Sequence, residues 1–374
     1  MIKLTLQYQW QPRPGKSTVL DATLFEVLYA VHETGSIAAA ARQTRLSYRH
    51  VWGLMGKWEK RLGRPLVALQ RGRGASLTEF GRTLLWAQEL VQARLTPDLE
   101  SVREEIERAL SHAGDAAAAR LSICASHDIA LAWLRDRLAQ RPGLKIDVRF
   151  QGSLESLGVL ARGQCELAGF HVAEGLESTV ARLFTELLPA RRYRVIGLAT
   201  RTQGLMVARG NPKNIGSLAD LARPGMRFIN RQQGSGSRIE LDQLLSGAGI
   251  DSKKIDGYLN EEFTHLAVAA TIAGGRADAG YGIKAAAAEY GLDYLPLLTE
   301  RYYLACRTET LREAPLKEFL ALLGSDDFRT LLAQLPGYGN AITGMIYEFG
   351  QVLPLEEPAA ARARADAPSG SRLR

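Results

Sequence analysis

Residues 226–245, MRFINRQQGSGSRIELDQLL, place a short apolar segment before a turn of glycines and serines, and an amphipathic helical pattern after it. Glycine lets a backbone approach another group closely. The first turn of a helix presents N–H groups that have no partner inside the helix. A strand, such a turn and a helix form the repeating unit of an α/β fold, and the helix start is a predicted anion site.

The same order of strand, turn and helix recurs over residues 120–350. The apolar segments LSICA, KIDVRF and ELAGF alternate with helical patterns, and a second set containing MRFIN and ADAGYG does the same. Two extended segments, 192–212 and 300–307, connect the sets. This pattern predicts a mainly parallel sheet divided into two lobes. Ligands of such folds bind between the lobes, at the carboxyl ends of strands.

Polar residues follow the predicted strands where a ligand would be held. Serine hydroxyls and helix-start N–H groups donate hydrogen bonds to an anion, and Arg238 would add a charge and a bidentate contact. Each serine taken singly is explained as well by helix capping, so only their convergence favours a site. The predicted ligand-binding residues are Ser126, His127, Ser153, Ser235, Gly236, Ser237, Arg238 and Tyr281.

The sequence gives little support to other chemistries. The turn GSGSRI lacks the Lys-Ser/Thr of a nucleotide P-loop and does not match the GxGxxG dinucleotide motif. No two histidines have metal-ligand spacing, and His265 is expected at the surface. Cys124, Cys165 and Cys306 are expected to be reduced, packed thiols. Because no nucleophile–base pair stands out, we expect no enzymatic activity, no metal and no cofactor.

The net charge of +7 is concentrated near the N-terminus. Residues 36–82 contain ten lysines and arginines but only two acidic residues, which is typical of a nucleic-acid-binding module. An amphipathic helix ending at Gly35, a short alanine-rich helix capped by Ser36 and a third helix capped by Ser47 and ended by Gly63 are predicted here. This spacing indicates a helix-turn-helix.

The third predicted helix carries apolar residues on one side and polar residues with Gly53 and Gly56 on the other. A glycine on an exposed helix face costs about 1 kcal/mol in helix propensity, which favours close approach to another surface over a solvated basic face. An Arg-Gly-Arg-Gly hairpin follows as a wing. The predicted DNA-contacting residues are Ser47, Tyr48, Arg49, His50, Gly53, Lys57, Lys60, Arg71 and Arg73.

A long amphipathic helix is predicted after Thr78, with an interruption at Pro97. Its apolar stripe predicts a partner chain, and therefore a homodimer or homotetramer that reads paired half-sites. The predicted divisions are a winged helix-turn-helix over 1–95, a linker and dimerisation helix with a hinge over 96–119, a two-lobed ligand-binding domain over 120–350 and a disordered tail over 351–374. The predicted fold is α/β overall.

Two resemblances follow from these motifs. Residues 20–95, with the ETGSI, LSY and LTEFG segments, resemble the DNA-binding domain of the molybdate-responsive ModE repressors and of the wider LysR-type regulators. Residues 120–345, with SHD, GSGSR and ADAGYG, are similar to the molybdate- and tungstate-binding branch of the periplasmic-binding-protein superfamily. The sensor of ModE itself is a small β-barrel, so the sequence departs from that family in its C-terminal part.

The resemblances imply a dimeric transcriptional regulator that binds double-stranded DNA and senses a small oxyanion, most simply molybdate or tungstate. A molybdenum-cofactor species, another small anionic metabolite, or a cleft that serves only assembly are the alternatives. A transporter receptor is a further class, disfavoured because no signal sequence is apparent. The absence of a long apolar run and of such a signal predicts a cytoplasmic protein without a membrane contact.

Overall fold

The computed structural model describes residue 4 and residues 6–12, 19–70, 74–111, 119–141 and 144–353. The N-terminal part is a helix-turn-helix followed by a two-stranded hairpin and a long helix. Its elements are α1 Ala22–Thr34, α2 Ile37–Gln43, α3 Tyr48–Leu62, β1 Val67–Gln70, β2 Gly74–Leu77 and α4 Glu79–Ser111.

The helix boundaries here arise from local capping. The Ser36 hydroxyl accepts from the N–H of Ala39, and the Ser47 hydroxyl accepts from the N–H of His50. Gly35 and Gly63 end α1 and α3 in the left-handed conformation, which glycine adopts without steric cost. These four residues were predicted in these roles from sequence, and the structure confirms them.

The C-terminal part alternates strands and helices, as predicted. Its elements are β3 Ala119–Ala125, α5 Ile129–Leu138, β4 Leu144–Phe150, α6 Ser153–Ala161, β5 Leu167–Ala173, α7 Glu177–Leu187, β6 Tyr193–Val207, β7 Phe228–Arg231, α8 Gly236–Gly247, β8 Glu261–Glu262, α9 His265–Ala273, β9 Ala279–Ile283, α10 Lys284–Glu289, β10 Asp293–Arg307, α11 Ala314–Leu323, α12 Asp326–Gln334, β11 Tyr338–Gly339, β12 Ile346–Glu348 and α13 Phe349–Val352.

The strands follow the order β4-β3-β5-β10-β6-β9-β7-β8. Strands β3, β4 and β5 pair in parallel and form the sheet of the first lobe, and β7, β8 and β9 pair in parallel in the second. The long strands β6 and β10 run antiparallel to each other and cross between the lobes. The prediction of two α/β lobes joined by extended crossings is therefore confirmed.

Helix α4 differs from the prediction, because it continues through residue 97 instead of being interrupted there. Proline has no N–H to donate to the carbonyl four residues earlier, which is that of Ala93. The Thr264 hydroxyl of the second lobe donates to the Ala93 carbonyl oxygen at 3.1 Å. A side chain from another element thus replaces the missing helical hydrogen bond. A rule that considers only residues close in sequence does not predict such a bond.

Each lobe has its own apolar core on both faces of its sheet, and a further core unites α1, α2, α3 and the hairpin around the fully buried Trp58. All three cysteines are buried and free of disulfides, as predicted. Over the described part of the chain, no helix is long and apolar enough to span a bilayer.

Candidate functional site

Helix α3 presents a polar face to solvent. Val51, Leu54, Met55 and Trp58 pack inward, and the predicted contact residues Tyr48, Arg49, His50, Gly53, Lys57 and Lys60 are exposed. The Tyr48 ring stands edge-on to Trp52 at 6.2 Å between centroids, which holds it at the start of the helix. The structure thus brings these residues together on one surface, whereas Arg71 and Arg73 lie outside the described residues.

Gly53 and Gly56 lie within this face of α3. A Cβ atom added at either position would meet no other atom within 4 Å. Packing against the described residues therefore gives no reason for glycine at these two positions.

In the C-terminal part, the start of α6 in the first lobe lies against the start of α8 in the second. A Cβ added at Gly152 would be 3.3 Å from the carbonyl oxygen of Gly234, and one added at Gly236 would be 3.3 Å from Nδ1 of His171. Gly152 provides no side-chain cap to α6. The first N–H groups of α6 therefore face the interlobe boundary without a side-chain partner.

Two serine–histidine pairs lie at these helix starts, one in each lobe. The Ser153 hydroxyl is 3.1 Å from Nδ1 of His171, and the Ser237 hydroxyl is 3.4 Å from Nε2 of His265. The Ser237 hydroxyl also accepts from the Gln203 amide at 3.0 Å. The second nitrogen of each ring is buried and has no hydrogen-bond partner among the described residues. His265 is buried, so its predicted surface position is wrong.

The other predicted ligand residues have different surroundings. Ser235 caps α8. Asp128 caps α5, because its carboxylate accepts from two free N–H groups in the first turn of that helix. Ser126 is therefore not the cap of α5, and its hydroxyl donates weakly to the Gln151 carbonyl at 3.4 Å. His127 stands edge-on to Phe150. Buried Tyr281 donates to Glu240 at 3.3 Å.

Arg238 does not contribute a free charge. Its guanidinium donates to Asp242 at 2.9 Å and to Glu261 at 3.1 Å, and it stacks over the Tyr258 ring at 4.3 Å. Two carboxylates therefore already neutralise it.

A second arginine near this turn, Arg231, stands at the end of β7. Only 5% of its surface is exposed, and its guanidinium donates to the Gln232 side chain at 3.1 Å and to the Phe263 carbonyl at 3.0 Å. No carboxylate lies within ion-pair distance among the described residues. Burial, followed by the charge of Arg201, lowers the pKa of Arg231 to about 10, although the charges of Glu300 and Glu262 act in the opposite direction. Sequence reasoning missed this residue.

Arg201 lies on the crossing strand β6, at the boundary between the lobes. It donates to Glu300 at 2.6 Å and to Asp128 at 2.7 Å, and the Tyr338 hydroxyl donates to the same Asp128 carboxylate. All three charged groups are buried. Although burial opposes the charge, Glu300 and Asp128 raise the pKa of Arg201. This network is neutralised internally and ties α5 to both crossing strands.

His171 and His265 are neutral at neutral pH. Burial, followed by the charge of Arg201, lowers the pKa of His171 to about 4. Burial, followed by the charge of Arg231, lowers the pKa of His265 well below its usual value. In contrast, burial and the neighbouring Glu300 raise the pKa of Glu240 far above the usual carboxyl range, which keeps it protonated. The site therefore offers neutral hydrogen-bond donors beside Arg231, a cation that Glu300 and Glu262 stabilise only from beyond ion-pair distance among the described residues.

Two cavities lie near these groups. One of about 10 Å³ adjoins His171, Gly236 and Glu240. The larger, of about 870 Å³, lies between α1, α4 and the second lobe and includes His127, Trp86 and Tyr290. It holds none of the serine–histidine pairs. In the part of the chain that is described, no three His, Cys, Asp or Glu side chains are grouped to hold a metal ion.

Comparison with known proteins agrees with the division of the chain into an N-terminal and a C-terminal part. The family model described as "PBP superfamily domain" matches residues 135–324. The chain belongs to the PBP superfamily. The model "Bacterial regulatory helix-turn-helix protein, lysR family" matches residues 23–82. The two matches fall on the N-terminal and the C-terminal part of the chain, a lysR-type helix-turn-helix and a PBP domain.

Two relatives each match part of the PBP protein. The chain is 33% identical over 199 residues, 53% of its length, to the uncharacterized protein YvgK of Bacillus subtilis, and the match spans 64% of that relative. It is 38% identical over 109 residues to an uncharacterized protein of Clostridium pasteurianum, covering 29% of this chain and 96% of the relative. The OxyR C206 mutant of Corynebacterium glutamicum aligns with a TM-score of 0.39, at 16% identity, over 81% of this chain and 91% of OxyR.

Proposed function

We propose that the chain is a DNA-binding transcriptional regulator whose PBP domain senses a small tetrahedral oxyanion, molybdate or tungstate, and so controls molybdenum- or tungsten-related genes. The exposed basic face of α3 supports the DNA-binding half. The observation that carries the ligand half is the meeting of two serine–histidine pairs at facing helix starts, beside Arg231, which is buried and forms no ion pair among the described residues.

Charge balance favours an anion at this site. A buried cation without a counter-charge costs several kcal/mol, and a bound anion would supply that counter-charge. The carboxylates whose charges reach Arg231 are already paired elsewhere, Glu300 with Arg201 and Glu262 with Arg94. Glu240 is protonated through its raised pKa. A neutral or cationic ligand would leave Arg231 without an ion-pair partner.

Hydrogen-bonding groups around Arg231 suit an acceptor-only ligand. A fully ionised oxyanion accepts hydrogen bonds at every oxygen and donates none. When the Ser153 hydroxyl donates to Nδ1 of His171, the free Nε2 of that ring carries a proton to donate. The uncapped start of α6 adds backbone N–H groups and the positive end of a helix dipole.

Ligand entry would require the lobes to separate. The cavity beside His171 and Gly236, about 10 Å³, has room for about one water. An ion of five heavy atoms needs more space than this. Because such an ion binds the two lobes at facing helix starts, its affinity depends on their separation, which is the condition for coupling ligand binding to shape.

Substitution of two arginines in one turn tests the site. Arg231→Gln should weaken molybdate or tungstate binding about tenfold or more, since a charge-assisted hydrogen bond contributes about 1.5–3 kcal/mol. Arg238→Gln is the matched control and should change the affinity less than threefold, or about 0.6 kcal/mol. Titration calorimetry on the full chain measures both. Equal losses in the two variants, or no heat for the wild type with molybdate, tungstate, sulfate or phosphate, would refute the site.

A further inference from the structure

Helix α4 is anchored to the second lobe by its middle portion. Arg94 forms an ion pair with the buried Glu262, with Nε 2.8 Å from the carboxylate. The indole of Trp86 lies against Gly274, where an added Cβ would be 1.9 Å from Cδ1. Because the first turns of α4 also belong to the core around Trp58, the winged helix and the second lobe are joined as one body.

The same helix is anchored to the first lobe six residues later. Glu100 accepts from Nη1 of Arg135 at 2.6 Å, and Arg135 belongs to α5. The Arg135 side chain is 7% exposed, so this contact is largely shielded from solvent. Salt screens such a pair less than a surface pair. Helix α4 therefore touches both lobes and crosses the boundary between them.

Pro97 lies between the two anchors. The hydrogen bond that proline removes from the helix is replaced by Thr264 of the second lobe, which donates to the carbonyl of Ala93. A helix bends most easily where its ladder of hydrogen bonds is interrupted. The hydrogen bond from Thr264 also attaches the part of α4 before Pro97 to the second lobe. The part of α4 after Pro97 is left free to move with the first lobe.

The anchor on the second lobe adjoins the proposed ligand site. Arg231 of β7 lies opposite Glu262 of β8 in the strand register, and its guanidinium donates to the Phe263 carbonyl at 3.0 Å. Thr264 precedes His265, whose ring contacts the Ser237 hydroxyl. Residues 262–265 thus connect the site to α4 without an intervening element.

We infer that α4 is an interlobe bridge with a joint at Pro97, through which separation of the lobes changes the angle between the winged helix and the first lobe. The inference rests on the proposed function, because it names how that site is regulated. Two winged helices must keep a fixed spacing to read paired half-sites, so a change at this joint alters DNA affinity.

A measurement without ligand tests the bridge itself. Spin labels at Arg182→Cys in the first lobe and Lys253→Cys in the second report the interlobe distance, because both positions are exposed and the natural cysteines are buried. Glu100→Ala should broaden or shift the distance distribution by more than about 2 Å. Asp98→Ala is the matched control, since Asp98 is exposed and has no partner in the described chain. Identical distributions for Glu100→Ala and Asp98→Ala would refute the bridge.

A second measurement places the bridge in the response to ligand. With sodium molybdate as the probe, Glu100→Ala should keep molybdate binding and lose at least half of the molybdate-induced change in DNA affinity, whereas Asp98→Ala keeps all of it. Pro97→Ala restores the helical hydrogen bond and should reduce the response with both anchors intact. A full response in both Glu100→Ala and Pro97→Ala would overturn the inference. Failure of the wild type to bind any oxyanion would refute the proposed ligand alone, since the distance measurement needs none.

Discussion

The glycines of α3 give the sharpest test of where DNA binds. Gly53→Ala and Gly56→Ala each add one methyl group on the exposed face of the helix. Neither methyl would meet an atom within 4 Å, and neither glycine has a positive φ. The substitutions therefore bring no clash and no backbone strain. Alanine is favoured over glycine in a helix interior by about 1 kcal/mol, so each variant should be more stable than the wild type by about that amount.

The expected effect on DNA has the opposite sign. A methyl group that stands between α3 and a closely approaching duplex should weaken binding about tenfold or more, which corresponds to about 1.4 kcal/mol. A variant that gains stability and loses DNA affinity cannot be explained by misfolding. This combination separates a recognition face from a solvated basic face, for which both glycines are replaceable without loss.

Two assays on the full chain measure these effects. Urea unfolding followed by tryptophan emission reports the N-terminal part, because Trp10, Trp52, Trp58 and Trp86 are four of the five tryptophans. Fluorescence anisotropy with a duplex selected in vitro by the wild type gives the DNA affinity. Gly247→Ala is the matched control, since it adds a methyl in open space on α8. Wild-type DNA affinity in both α3 variants would refute the assignment of this face.

Two further predictions concern the buried polar groups and the contact of α4. Because the pKa of His171 is lowered to about 4, the unfolded chain binds a proton between pH 6.5 and 4 that the folded chain does not. His171 alone should therefore account for a fall in stability of about 2 kcal/mol from pH 7 to pH 5, and His171→Asn should reduce the pH dependence in urea unfolding by about that amount, whereas an unchanged slope contradicts the burial argument. Gly274→Ala should displace Trp86, lower stability by about 1–3 kcal/mol and shift tryptophan emission to the red; an unchanged melting temperature would show that the indole does not need this space.

The local features of the fold could be predicted because their causes are local. Ser36 and Ser47 bond to backbone groups three residues away, and Gly35 and Gly63 supply a backbone conformation that other residues adopt at a cost. The alternation of strand and helix likewise follows from the period of the apolar residues. Both kinds of signal are contained within a short window of sequence.

The site could be predicted only in part, because partners distant in sequence decide the state of a charge. Arg231 and Arg238 flank one turn, and position relative to the helix start favoured Arg238. Its neutralisation depends on Asp242, Glu261 and Tyr258, and the last two come from beyond α8.

A usable signal for the burial of the histidines was present in the sequence, however. His171 stands in the continuously apolar strand LAGFHVA and His265 opens the apolar helix HLAVAATIA, so both segments indicated burial.

The two buried arginines of the interlobe boundary show how compensation separates structure from function. Arg201 is held by Asp128 and Glu300, and removing one partner of such a buried pair typically costs about 3–5 kcal/mol, because it leaves an uncompensated charge. Arg231 has no ion-paired carboxylate among the described residues, so its loss relieves a desolvation cost, removes two hydrogen bonds from neutral acceptors and loses only the longer-range attraction of Glu300 and Glu262. Substitution of Arg201 should therefore unfold the domain, whereas substitution of Arg231 should preserve it. A cation that the fold does not need for its own stability is available to a ligand.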